Sequence, residues 1–228
     1  MEHHHQSESR RHPARSNGGS LLTEEQGFVF IIDDDESVRA ALEDLLGSIG
    51  LKVQSFATVQ EFLDIRRPDV AGCIVLDVRL PGTSGLEFQR LLAKSNMGLP
   101  IIFISGHSDI SISVQAMKLG AIEFLTKPLR EQELVDAVQF GISRDRARRR
   151  ELHLLAGLKE RLQSLTQRER EVFELVITGR QSKIIAADLK LSVMTVKVHR
   201  SHVMRKMGAR SLIDLARMAN SLGIPAQD

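Results

Sequence analysis

Residues 72–85 read Gly72-Cys73-Ile74-Val75-Leu76-Asp77-Val78-Arg79-Leu80-Pro81-Gly82-Thr83-Ser84-Gly85. Four apolar residues in a row, without polar alternation, predict a strand covered on both faces, as in a parallel sheet. The run stops at one carboxylate, Asp77, and a Pro-Gly turn follows. An acid at the mouth of a buried strand is a poor choice for stability, because burial penalises its charge. That placement marks Asp77 as a candidate acceptor of a phosphoryl group.

Working outward, the same grammar repeats. Phe28–Ile32 is a continuous apolar run ending in Asp33-Asp34-Asp35. Leu51–Phe56, Pro100–Ile104 and Ala121–Leu125 are further strands, the last two ending at Ser105-Gly106 and Lys127-Pro128. Helical periods fall between them, near Val38–Ile49, Val59–Ile65, Leu86–Leu92, Ile110–Leu119 and Glu131–Ile142. Strands alternating with helices predict an α/β doubly wound parallel sheet. Ligands in such sheets bind at the carboxyl ends of the strands. Those ends here supply Asp33, Asp34, Asp77, Ser105 and Lys127. Three grouped carboxylates repel one another unless a cation sits among them, and an all-oxygen set suits Mg²⁺ (or Mn²⁺). A lysine and a hydroxyl beside them suit phosphoryl oxygens, and phosphoryl transfer needs little beyond positioning, a metal and a cationic clamp.

The chain has 228 residues, enough for two ordinary domains. Its net charge of +2 conceals an asymmetry. Residues 28–141 hold 16 acids and 10 bases, whereas residues 142–228 hold 9 acids and 18 bases. An acidic half joined to a basic half predicts two domains with different partners, nucleic acid for the basic one. The single cysteine, Cys73, excludes an internal disulfide and fits a reducing, cytoplasmic setting. No apolar run approaches the ~20 residues of a membrane span, so no membrane partner is expected. Residues 1–27 are polar, with three successive histidines at 3–5, and read as a disordered tail.

Residues 28–142 resemble the receiver domain of two-component response regulators. The resemblance rests on Ile32-Asp33-Asp34-Asp35, Leu76-Asp77-Val78-Arg79-Leu80-Pro81-Gly82, Ser84-Gly85, Ser105-Gly106-His107 and Lys127-Pro128. It implies a five-stranded, flavodoxin-like sheet in the order 2-1-3-4-5. It also implies Asp77 as the phosphoacceptor from a sensor histidine kinase. Asp33, Asp34, Asp77 and the Arg79 carbonyl would hold Mg²⁺, Lys127 would pair with the phosphoryl group, and Ser105 would hydrogen-bond it. Phe124 stands at the switch aromatic position. Ser105 replaces the commoner Thr, and Phe124 lacks the hydroxyl of a Tyr, so a switch there must work by packing.

Residues 143–163 form a helical linker. It begins with a basic run at Arg144, Arg146, Arg148, Arg149 and Arg150. Leu155, Leu158, Leu162 and Leu165 then form a short seam, suited either to docking on one domain or to pairing between chains. Residues 164–228 form an all-α domain. Thr166-Gln167-Arg168-Glu169 is a capping box, Ser182 and Ser211 are cap candidates, and Leu191-Ser192 turns the chain into a helix over Val193–Met207. Four short helices with that tight turn predict a helix-turn-helix. At about 100° per residue, Val196, His199, Val203 and Met207 face inward, and Lys197, Val198, Ser201 and Arg205 outward. Arg200 and Lys206 are placed for phosphates, and a Val in the major groove can meet a thymine methyl.

This segment resembles the LuxR-type DNA-binding domain through Leu165–Glu169, Glu171-Val172, Gly179, Lys183, Ile185-Ala186, Leu189, Ser192, Thr195–His199 and Lys206-Met207-Gly208. Thr195 joins the candidate DNA contacts on that basis. Receiver followed by LuxR-type domain resembles the FixJ/NarL class, and Gly106–Asp109 with Ala116–Ala121 resembles its FixJ branch. The resemblance implies a phosphorylation-dependent transcriptional regulator, a homodimer when phosphorylated, bound to a two-fold site on double-stranded DNA. Val114, Met117, Lys118, Ala121 and Ile122 are the candidate dimer surface. It is not expected to be an enzyme, its only catalysis being its own phosphoryl transfer and autodephosphorylation. A metal-dependent phosphatase and a constitutive DNA-binding protein are the competing readings.

Overall fold

The computed structural model describes residues 27–95, 97–106 and 110–225. The expected tail, apart from Gly27, lies outside them, as do His107, Ser108 and Asp109 of the glycine-led turn.

Five parallel strands, β1 (Phe28–Ile32), β2 (Lys52–Phe56), β3 (Gly72–Asp77), β4 (Ile101–Ser105) and β5 (Glu123–Thr126), form one sheet in the order β2-β1-β3-β4-β5. The central strand β3 is buried along its whole length, as its unbroken apolar run requires. Helices α1 (Glu36–Ser48), α2 (Val59–Asp64), α3 (Gly85–Lys94) and α4 (Ile110–Lys118) connect the strands. Alternate β3 side chains enter two cores. Ile74 and Leu76 pack with Phe30, Phe62, Phe88 and Phe103 on one face, and Cys73 and Val75 with Ile31, Leu46, Ile104 and Leu134 on the other.

Two expected boundaries move. Strand β5 begins at Glu123 because Ala121 is still completing the turn after α4, its N–H donating to the Ala116 carbonyl. The last receiver helix does not stop at Ile142: α5 runs unbroken over Glu131–Gln163. It leaves the receiver core after Ile142 and Asp145 and continues as the linker.

Four helices follow, α6 (Gln167–Ile177), α7 (Ser182–Leu189), α8 (Val193–Met207) and α9 (Leu212–Ser221), around Val172, Phe173, Ile185, Val196, Val203, Met207 and Leu215. Both halves of the Thr166–Glu169 capping box form. Ser192 caps α8, its hydroxyl accepting the Thr195 N–H at 3.0 Å, and Ser211 caps α9. Ser182 does not cap α7. That position belongs to Gln181, which makes no side-chain cap, and Ser182 is the first helical residue. Leu162 and Leu165 pack on this core, so this end of the leucine seam docks within its own chain.

Candidate functional site

The carboxyl ends of β1, β3, β4 and β5 converge on one pocket. Carboxylate oxygens of Asp33, Asp34 and Asp77 lie within 4.8 Å of one another. Asp33 is wholly buried and Asp77 is 8% exposed, while Asp34 faces solvent. The Lys127 ammonium donates to Asp33 Oδ2 at 2.7 Å and sits 3.5 Å from Asp77 Oδ2. The Asp35 N–H donates to Asp33 Oδ1 at 2.9 Å, and Asp35 itself caps α1, so the acidic triplet serves both the site and the helix start.

Burial pushes the Asp77 carboxyl up, Lys127 opposes this, and Asp33 adds to it; the net direction is upward. Burial alone would lower Lys127, but its hydrogen bond to Asp33 and the charges of Asp33 and Asp77 outweigh that and raise it. Two buried acids thus share one lysine, which leaves an excess of negative charge. Hard oxygen donors with excess charge, at this spacing, fit a divalent ion such as Mg²⁺. Ser105 is buried at the end of β4, and the Phe124 ring is half-buried with its centroid 6.2 Å from that of Phe103. The site also depends on Gly85. A Cβ there would lie 2.6 Å from the Asp77 carbonyl oxygen and 2.9 Å from Phe103 Cε1, so α3 starts hard against the strand that carries Asp77.

The second constellation is helix α8. Val196, Val203 and Met207 are fully buried, whereas Lys197, Val198, Ser201 and Arg205 are exposed. Thr195 and Arg200 are partly exposed beside them, with Arg200 Nη1 donating to the Arg180 carbonyl at 3.2 Å. His199 turns its Nδ1 into the core, without a hydrogen-bond partner among the described residues. Lys206 departs from expectation. Its ammonium donates to Glu169 at 2.6 Å and to the Ser164 carbonyl at 3.0 Å, so it ties α8 to α6 instead of standing free for a phosphate. Met194, 71% exposed at the start of α8, was not singled out in the sequence; an outward angle beside Lys197 was the available signal.

Residues 29–139 match the response regulator receiver domain family, and residues 163–219 match the bacterial regulatory proteins of the luxR family. The chain is 50% identical over 212 residues to nodulation protein W of Bradyrhizobium diazoefficiens, covering 93% of each chain. It belongs to the FixJ/NarL class of response regulators. This response regulator is also 41% identical over 205 residues to the response regulator protein TodT of Pseudomonas putida, covering 90% of each. The solved response regulator StyR shares 45% identity with a TM-score of 0.78, covering 86% of this chain and 98% of that one. Full-length FixJ from B. japonicum follows at 37% identity and a TM-score of 0.53, covering 87% of this chain and 98% of that one.

Within the receiver, Val114, Met117 and Lys118 are exposed on α4, and Ile110 more so at 79%. Ala121 is a correction: it is buried in the first core, because the turn after Gly120 sends its methyl inward. Ile122 is half-buried against the second core. The capping box names Glu169, but neither its burial nor that of Asp145 shows in the sequence. Each lies inside an otherwise exposed, charged helical pattern, so only their neighbours in space reveal them. No described helix is long and apolar enough to cross a membrane.

Proposed function

We propose that this response regulator is switched by phosphorylation of Asp77 and reads DNA through the exposed face of α8. One observation carries the reading: Lys127 stands between two buried carboxylates at 2.7 and 3.5 Å, while a third completes an oxygen cluster. Asp33, Asp34, Asp77 and the Arg79 carbonyl would hold Mg²⁺, which when bound supplies positive charge to the phosphoryl oxygens. Asp77 Oδ attacks the phosphorus of a kinase phosphohistidine. The P–N bond breaks as the O–P bond forms, and the leaving imidazole nitrogen takes a proton from solvent. Lys127 neutralises the incoming phosphoryl oxygens, and Ser105 offers its hydroxyl to one of them.

A cavity of about 410 Å³, lined by Val38, Ala41, Leu45, Pro128 and Leu129 and also by Lys127 of the site, would give the kinase an apolar foothold. The added charge shifts a two-state equilibrium through Ser105 and the Phe124 ring. Exposed Ile110, Val114, Met117 and Lys118 then pair two copies, presenting two α8 helices to a two-fold site. In this reading residues 28–142 receive the signal, 143–163 carry it and 164–228 bind DNA.

The test is labelling by a small phosphodonor with Mg²⁺, followed by DNA binding. Wild type is expected to take up label and to bind DNA at least tenfold more tightly with donor than without. Asp77→Asn is expected to do neither. Equal labelling, or donor-independent affinity in wild type, overturns the reading.

A further inference from the structure

The basic run at the start of the linker is organised around an acid. Asp145 is fully buried, on the stretch of α5 where the helix leaves the receiver. Its Oδ2 accepts the Gly72 N–H at 3.0 Å and Arg149 Nε at 2.8 Å. Its Oδ1 accepts Arg148 Nε at 3.0 Å and Nη2 at 2.7 Å. Arg149 also bonds Asp69, in the loop before β3, and the Arg148 guanidinium covers Gly98, in the loop before β4. Thus two loops at the base of the sheet and the first residue of β3 are gathered onto one turn of α5. The buried apolar anchoring of this helix in the receiver core ends at Ile142, and the clamp holds the first turns of the linker beyond it.

The far end of the same helix is fastened too. Arg161 Nη1 donates to the Met207 carbonyl at 3.1 Å, closing the carboxyl end of α8, and Arg170 Nη2 donates to the Leu162 carbonyl at 3.2 Å. Gly208, at φ 72°, makes room for Arg161, since a Cβ there would lie 2.9 Å from Nη1. From Asp145 to Gln163 the helix advances about 27 Å at ~1.5 Å per residue. A swing of about 10° at the clamp would carry its end sideways by roughly 5 Å, more than the ~3.4 Å rise of a base pair.

We infer that Asp145, gripped by Arg148 and Arg149, sets the exit direction of the linker helix and thereby the half-site spacing that a pair of α8 helices accepts. Asp145 is a positioning residue that touches neither phosphoryl group nor DNA. The inference rests on the dimeric DNA-binding reading above, and its test separates the two.

Full-length wild type and Asp145→Asn are activated with beryllofluoride and Mg²⁺. Two-fold duplexes selected from a random pool by wild type are then re-made with the half-sites moved apart or together by one and two base pairs. Wild type is expected to lose at least tenfold in affinity at two base pairs. Asp145→Asn is expected to lose less than threefold across the series, with an unchanged phosphorylation rate. A uniform loss at every spacing, or the wild-type profile, overturns the inference. If wild type selects no DNA, both readings fall. A second readout needs no DNA: spin labels at Lys52→Cys and Gln163→Cys. Their distance distribution is expected to at least double in width in Asp145→Asn, and an unchanged width counts against the clamp. Should Asp145→Asn not fold, Arg149→Lys, which keeps the charge but loses the two-pronged grip, serves in both measurements.

Discussion

At the scale of single residues, the chemistry is carried by buried charges whose partners are distant in sequence. Lys127 and Asp33 are 94 residues apart and meet at 2.7 Å. The excess negative charge around Lys127 predicts a stabilising response to metal: Mg²⁺ at about a hundred times its dissociation constant adds about 2.7 kcal/mol. Thermal melts with and without chelator are expected to show that rise in wild type and its loss in Asp33→Asn. Glu169 makes a separate, pH-dependent contribution. Its bond from Lys206 and that from the Thr166 N–H hold its carboxyl down at about 2, against an ordinary 4.5. A depressed folded-state value means that its stabilisation is complete above about 4.5 and is lost as pH falls through about 2. The stability difference between wild type and Glu169→Gln should therefore be flat above pH 5 and shrink toward pH 2 in urea melts. A difference that grows on acidification would contradict this assignment.

At the scale of elements, close approach and helix faces decide the outcome. Gly85 lets α3 begin against β3, so Gly85→Ala is expected to cost about 1–3 kcal/mol by overpacking and to slow labelling of Asp77. Chemical denaturation and phosphodonor kinetics check the two parts. On α8 the inner and outer faces should separate cleanly. Val203→Ala leaves a void in the core and is expected to cost about 2 kcal/mol or more. Lys197→Ala, on the exposed face, should leave stability within about 0.5 kcal/mol while weakening DNA binding. If Lys197 meets a phosphate, the slope of log affinity against log salt falls by about 0.9; if it meets a base edge, discrimination at one position falls instead.

At the scale of the whole molecule, the charge asymmetry predicts that the acidic receiver stays off DNA and that binding weakens steeply with salt. Affinity measured across a fourfold salt range is expected to fall at least tenfold, and a flat profile would exclude phosphate contact as the main attraction.

Much of this molecule was legible in its residues because the relevant signals are local. Continuous apolar runs ending in Asp33, Asp77 and Ser105 mark parallel strands and their working ends. The Thr166–Glu169 box and the 3.6-residue period of α8 mark a helix start and its two faces. What could not be read locally concerns pairs brought together by the fold. Lys206 looks like a free surface base in the chain, yet Glu169, 37 residues away, engages it; Asp145 pairs locally with Arg148 and Arg149, but its bond from the Gly72 N–H comes from across the fold. Ala121 looks like part of an exposed edge, yet the turn after Gly120 turns it inward. The helix expected to end at Ile142 runs on to Gln163, for no proline intervenes and Asp145 has partners at Gly72, Arg148 and Arg149. The sequence by itself determined the strand order's ingredients, the acidic pocket and the inward face of α8, since each depends on residue type and short-range spacing. Only the tertiary structure decided which charges distant in sequence are paired, because such a pair depends on distances between segments that no single stretch contains.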